Sequence, residues 1–228
     1  MNTYTLNLKP LAKQITVEHF EQLCALNPEL KLEINHQGKL IVMSPTGYET
    51  GMNNASLIAQ FWIWNRQYDL GVVCDSSTGF ILPNGAVRSP DLSWIVKERI
   101  ARFSQEEKAR FLPLTPDFIL ELMSPSDLLE IVQDKMTSDP LKGSTVPTTE
   151  ETSATDCLTA PSYGARERAR MQEYQDNGVK LGWLINPQRQ QVAVYRPQQV
   201  TEIMDSPATL SGEAVLPDLV VELDFIWR

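Results

Sequence analysis

Hydrophobic and polar positions alternate with two different periods along this chain, and the change of period marks its elements. Thr16 stands where an N-cap belongs, and Val17, Phe20, Leu23 and Cys24 follow as one helical stripe that ends at Asn27-Pro28. The period then becomes two. Leu30, Leu32 and Ile34 alternate with polar neighbours, Asn35-His36-Gln37-Gly38 supplies a turn, and Leu40 and Val42 return, which predicts a hairpin. From Asn54 to Tyr68 the series Leu57, Ile58, Phe61, Trp62 and Trp64 predicts a helix packed on a sheet. Short strands are expected at Gly71–Cys74 and Thr78–Leu82, and another in Leu92-Ser93-Trp94-Ile95-Val96. Gly182–Asn186 and Gln191–Arg196 form a second predicted hairpin. Hairpins together with a helix-connected strand give an α/β class with a mixed sheet.

One strand breaks its own pattern. Phe118-Ile119-Leu120-Glu121-Leu122-Met123 is apolar at every position but one, as in a strand buried on both faces. An ionised carboxylate there costs several kcal/mol, on the order of what buried charges cost, unless a cation or hydrogen bonds compensate it. Asp91, after Pro90, opens another apolar strand. Two carboxylates on neighbouring core strands suit a shared divalent metal. Duller readings stand beside that one: Asp91 caps a turn, or Glu121 pairs with a structural arginine. Asp127 and Glu130 have capping-box spacing, and the helix they open places Leu128, Ile131, Val132 and Lys135 on one face. Lys135 then either snorkels to the surface or meets a buried anion. Glu33 falls on the polar side of its hairpin and on pattern alone is solvated.

Residues Thr137 to Ser162 fit no element. Roughly half are Ser, Thr or Pro, and large apolar side chains are scarce, so the segment is expected to be disordered. Lys135-Met136 precedes it and Arg170-Met171 closes it, a near-duplicate of the kind an insertion into one helix would leave. The domain expectation is therefore one unit spanning 1–228, interrupted by an insert at about 137–171.

Composition narrows the function. A length of 228 residues suits one core. No apolar stretch approaches bilayer length and the start lacks signal-peptide regions, so no membrane partner is expected and cytoplasmic is the default. Three dispersed cysteines, Cys24, Cys74 and Cys157, read as free thiols. The net charge of −9 argues against broad nucleic-acid affinity without excluding a local basic cleft. Neither His19 nor His36 has a nucleophile partner at a telling spacing, and P-loop, GxGxxG and HExxH sequences are absent.

The order Pro90-Asp91, Glu121-Leu122-Met123-Ser124-Pro125-Ser126, Lys135 and Tyr174-x-x-x-Gly178-Val179 resembles the Uma-two family of restriction-type endonucleases, within the PD-(D/E)XK nuclease superfamily. The resemblance covers most of the chain outside the insert. It implies a restriction-endonuclease-like αβββαβ core with a mixed central sheet flanked by helices. It further implies hydrolysis of DNA phosphodiester bonds with Mg²⁺ or Mn²⁺ held by Asp91 and Glu121. By the same resemblance Lys135, moved to the helix from its usual place two residues after the acidic one, would orient water. Glu33 would stand at the edge of the site. A homodimer would follow from the way restriction-type nucleases cut two strands. The insert is the departure: it interrupts the helix just after Lys135, and a helix re-formed from Ala165 would bring Arg170 into the same register. A catalytically impaired nuclease fold that binds DNA or a protein is the alternative.

Overall fold

The computed structural model describes residues 15–124 and 165–228. Helix α1 (Val17–Leu26) begins at Thr16, whose hydroxyl accepts the His19 N–H at 3.3 Å. Its inner face buries Phe20 and Leu23 against Leu32, Ile34 and Val87. Strands β1 (Lys31–Ile34) and β2 (Leu40–Met43) pair antiparallel with Leu32 opposite Val42. Asn35 makes the turn between them by accepting the N–H groups of Gln37 and Lys39 at 3.0 and 2.9 Å, and Gly38 takes the left-handed conformation the turn needs.

Helix α2 (Tyr48–Tyr68) starts six residues before the position its apolar stripe predicts. Tyr48 and Met52 are exposed in its first turns, so no periodic signal appears there. Further along, Leu57, Phe61 and Trp64 turn inward. There follow β3 (Gly71–Asp75), β4 (Phe80–Ile81), β5 (Val87–Arg88), β6 (Leu92–Val96), the single turns α3 (Lys97–Ile100) and α4 (Gln105–Lys108), and β7 (Phe118–Leu122). After the gap in description come α5 (Ala165–Asp176), β8 (Leu181–Asn186), β9 (Gln191–Tyr195), β10 (Glu202–Asp205), β11 (Thr209–Ser211) and β12 (Val220–Glu222). The first part of α5 thus occupies 165–171, while the predicted capping box at Asp127, Lys135 and residues 137–164 lie outside the described residues.

The main sheet has six strands in the order β10-β9-β8-β7-β6-β3, with β1, β2, β4 and β5 in a second sheet. Among the described strands of this sheet β7 and β8 are the parallel pair, joined by the crossover that carries α5. Along the chain, α2, β3, β6, β7, α5 and β8 give the αβββαβ succession, with β4 and β5 as an excursion into the second sheet. The fold class is α/β with a mixed central sheet. β7 is buried throughout because both its faces are covered. Phe118, Leu120 and Leu122 pack with Leu57, Phe61 and Trp183, while Ile119 and Met123 meet Met171 and Tyr174 of α5. Glu121 alternates onto the α5 side. Gly71 is required where β3 passes β6, since a Cβ would lie 2.3 Å from the Ile95 carbonyl oxygen and 2.4 Å from the Trp94 ring. Among the described residues no helix is long and apolar enough to cross a membrane.

Candidate active site

The antiparallel register of β6 and β7 sets Leu92 against Leu120, so one step further Asp91 stands beside Glu121. The Leu122 N–H donates to Asp91 Oδ2 at 2.9 Å and holds that carboxylate at the end of β7. Glu33 reaches the same place from β1. It is fully buried, and the Ser89 N–H donates to its Oε1 at 2.8 Å while Arg88 Nη1 donates to Oε2 at 3.1 Å. This corrects the reading of Glu33 as solvated. The hairpin pattern gives β1 one wet face, but α1 covers one side and the two arginines Arg88 and Arg170 fill the other.

Helix α5 supplies the rest. Arg170, Glu173 and Tyr174 share one face at helical spacing. Arg170 is the second cation of the cluster. Its Nε lies 2.8 Å from Glu121 Oε1, and its Nη2 lies 2.7 Å from Glu33 Oε1 and 3.2 Å from the Ser89 carbonyl oxygen. Tyr174 donates its hydroxyl to Glu121 Oε1 at 3.0 Å. Glu173 accepts from Arg88 Nε at 2.7 Å and from Asn84 Nδ2 at 3.0 Å, with His36 Nδ1 at 3.1 Å. One ionic chain therefore runs from Glu173 through Arg88, Glu33 and Arg170 to Glu121, with Asp91 alongside.

Its electrostatics are uneven. Burial pushes the Glu121 carboxyl up to about 8, Arg170 pulls it down, and the neighbouring Asp91 and Glu33 charges push it further up. Burial disfavours the Arg170 charge, but Glu121 and Glu33 outweigh this and hold its pKa above the ordinary arginine value. Burial, together with Glu121 and Glu33, likewise keeps Tyr174 a neutral donor. Burial raises Glu173, but Arg88, His36 and Asn84 prevail and leave it below the usual carboxylate value.

The geometry thus brings Asp91, Glu121 and Glu33 together, and Lys135 lies outside the described residues. Glu121 also meets an arginine, as its structural alternative required. Arg88, Glu173 and Tyr174 were not singled out as site residues by sequence. The available signal for two of them was the helical spacing of Glu173 and Tyr174 from Arg170. Arg88 and Glu173 lie 85 residues apart, beyond any local pattern.

Among the described residues no group of three or more His, Cys, Asp or Glu side chains is disposed to hold a metal ion. A cation would therefore rest on the Asp91–Glu121 pair, with water completing its shell. The residues fit such an ion by chemistry and charge. All the donors are hard oxygens, and the contacts described for Glu121 fall on Oε1. Among the described residues, the cluster brings the carboxyl groups of Glu33, Asp91, Glu121 and Glu173 together with the guanidiniums of Arg88 and Arg170.

The fold and this acidic cluster at the ends of adjacent strands define a nuclease-like α/β protein. A similar solved structure is described as "a putative nuclease belonging to DUF820" from Anabaena variabilis ATCC 29413. It aligns with a TM-score of 0.64 at 18% identity, over 93% of this chain and 97% of that one. The profile of the Uma2 family, described as "Putative restriction endonuclease", matches residues 17–138 and 158–224. The chain belongs to the Uma2 family. The two matched stretches flank residues 139–157, which lie within the predicted insert. The search of curated proteins finds no match.

Proposed function

We propose that this protein is a divalent-metal-dependent endonuclease that hydrolyses DNA phosphodiester bonds. The observation that carries the reading is the pair Asp91 and Glu121, set side by side by strand register in a cluster of buried carboxyl groups. Asp91 and Glu121 would hold Mg²⁺ or Mn²⁺, which when bound supplies Lewis acidity toward a phosphate and acidifies a water. The protein's own groups set the stage for that. Tyr174 and Arg170 fix Glu121 Oε1, and the Leu122 N–H fixes Asp91 Oδ2. Arg88 and the Ser89 N–H hold both oxygens of Glu33 in place at the edge of the site. Lys135 is assigned the water-orienting role by resemblance alone. DNA is the substrate proposed from family membership.

Plasmid nicking with and without Mg²⁺ tests this, using Asp91→Ala and Glu121→Ala proteins as controls. Metal-dependent nicking by the wild type and its loss in both variants is expected. Equal nicking by all three would mean a contaminant and remove the reading. One observation favours a second reading, a non-catalytic nuclease fold: Arg170 already fills Glu121 Oε1. Metal binding without cleavage of any nucleic acid would select that second reading.

A further inference from the structure

Resting on the nuclease reading, we propose that Arg170 is the residue with which this site grips a substrate phosphate, releasing the carboxylates once a divalent cation has taken over their charge. Three features of the geometry carry this.

Both anions of Arg170 have a further partner. Glu33 keeps Arg88 Nη1 on one oxygen and the Ser89 N–H on the other, and Glu121 keeps the Tyr174 hydroxyl. Breaking a buried ion pair is costly where it strands a charge. When the guanidinium leaves, Glu33 keeps a cation, and Glu121 keeps the Tyr174 hydroxyl and would face the divalent ion in its place. Arg170 is also placed to move. Met171 and Tyr174 anchor the surrounding turn of α5 in the core, so the helix stays fixed while the side chain turns. Finally, its contacts among the described residues run through Nε and Nη2, which leaves Nη1 for a further acceptor. A guanidinium offers phosphate a planar fork of donors and stays protonated at any ordinary pH, so it binds and does not act as a base.

The exchange has an electrostatic logic. Among the described residues Arg170 is the one cation that contacts both Glu33 and Glu121, and a divalent ion on Asp91 and Glu121 would compete with it for Glu121. Removing Arg170 should therefore strengthen metal binding and weaken DNA binding at once. A purely structural arginine would not separate the two in this way.

The test is calorimetric titration of the whole protein with Ca²⁺, and anisotropy titration with labelled duplex DNA in Ca²⁺, the DNA checked on a gel to be intact. Wild type, Arg170→Gln and Arg170→Lys are compared, with thermal melting of each. The expectation for Arg170→Gln is Ca²⁺ binding tightened several-fold and DNA binding weakened roughly tenfold to a hundredfold, the range of a lost charge-assisted hydrogen bond. Arg170→Lys should keep most of the DNA affinity. Wild-type DNA affinity in Arg170→Gln overturns the inference and leaves the nuclease reading intact. Joint loss of both ligands with a lowered melting temperature in Arg170→Gln and Arg170→Lys makes Arg170 a structural pin and also overturns it. Failure of the wild type to bind either ligand removes the nuclease reading, and this inference with it.

Discussion

Two buried carboxylates sit at opposite ends of β7, and they are treated in opposite ways. Asp117, just before the strand, lies about 13 Å from Glu121 by strand rise and is 1% exposed. It accepts the Val96 N–H at 3.0 Å and faces Arg99 at 2.9 Å and Lys180 at 2.8 Å. Two cations serve one anion there, and both reach toward water, with Arg99 29% and Lys180 58% exposed. At the other end Glu121 is 8% exposed and shares Arg170 with Glu33, while Asp91 stands beside it. Among the described residues, two cations face one carboxyl group at the first end, and two guanidiniums are shared by four carboxyl groups at the second. Burial of a charged group is therefore not in itself the mark of a site; the gathering of several carboxyl groups is what sets the second end apart.

Substitution should separate the two ends. Glu121→Gln keeps the side chain's shape and its contacts with Arg170 and Tyr174 but removes the charge. Metal-dependent nicking should fall by about a hundredfold to a thousandfold, the scale of a few kcal/mol of lost electrostatic stabilisation, with the melting temperature kept or raised. Nicking that survives at the wild-type rate would erase the distinction. Asp117→Ala should do the reverse. It leaves the Val96 N–H unpaired, while Arg99 and Lys180 can turn to solvent. The cost is about 1–3 kcal/mol in denaturant unfolding, below that of breaking a fully buried pair. Nicking per folded molecule should hold.

Acidity sharpens the contrast further. The Glu121 carboxyl is held at about 8 in the fold, above its ordinary value of 4.5. A carboxyl raised in this way favours the folded state below the lower value and loses that contribution as pH rises through the higher one. In chelator, metal-free protein should therefore lose stability between pH 4.5 and about 8, at a slope of up to about 1.4 kcal/mol per pH unit. The slope should be missing from Glu121→Gln. Parallel pH curves for the two proteins would show that Glu121 is compensated after all.

How far the sequence foretold this depends on whether each signal was local. β7 was legible because six residues, Phe118 to Met123, carry both of its buried faces and its one misplaced charge. The hairpin of β1 and β2 was legible from its turn, where Asn35 and Gly38 do what their chemistry allows. Asp91 beside Glu121 followed from two neighbouring core strands. Glu33 was misjudged on pattern because alternation cannot say that a second layer covers the polar face. β10 to β12 escaped notice, being short and largely exposed. The Arg88–Glu173 pair and the spare partners of Glu33 depend on contacts between distant segments, which no local periodicity encodes.

The most direct measurement of the central claim is a calorimetric titration of Mg²⁺ or Mn²⁺ into wild type, Asp91→Ala and Asp117→Ala at neutral pH. The account predicts saturable binding of the divalent cation to wild type and to folded Asp117→Ala, and its loss in Asp91→Ala. Equal binding by wild type and Asp91→Ala, or loss on Asp117→Ala while the fold persists, would place the cation elsewhere and contradict it.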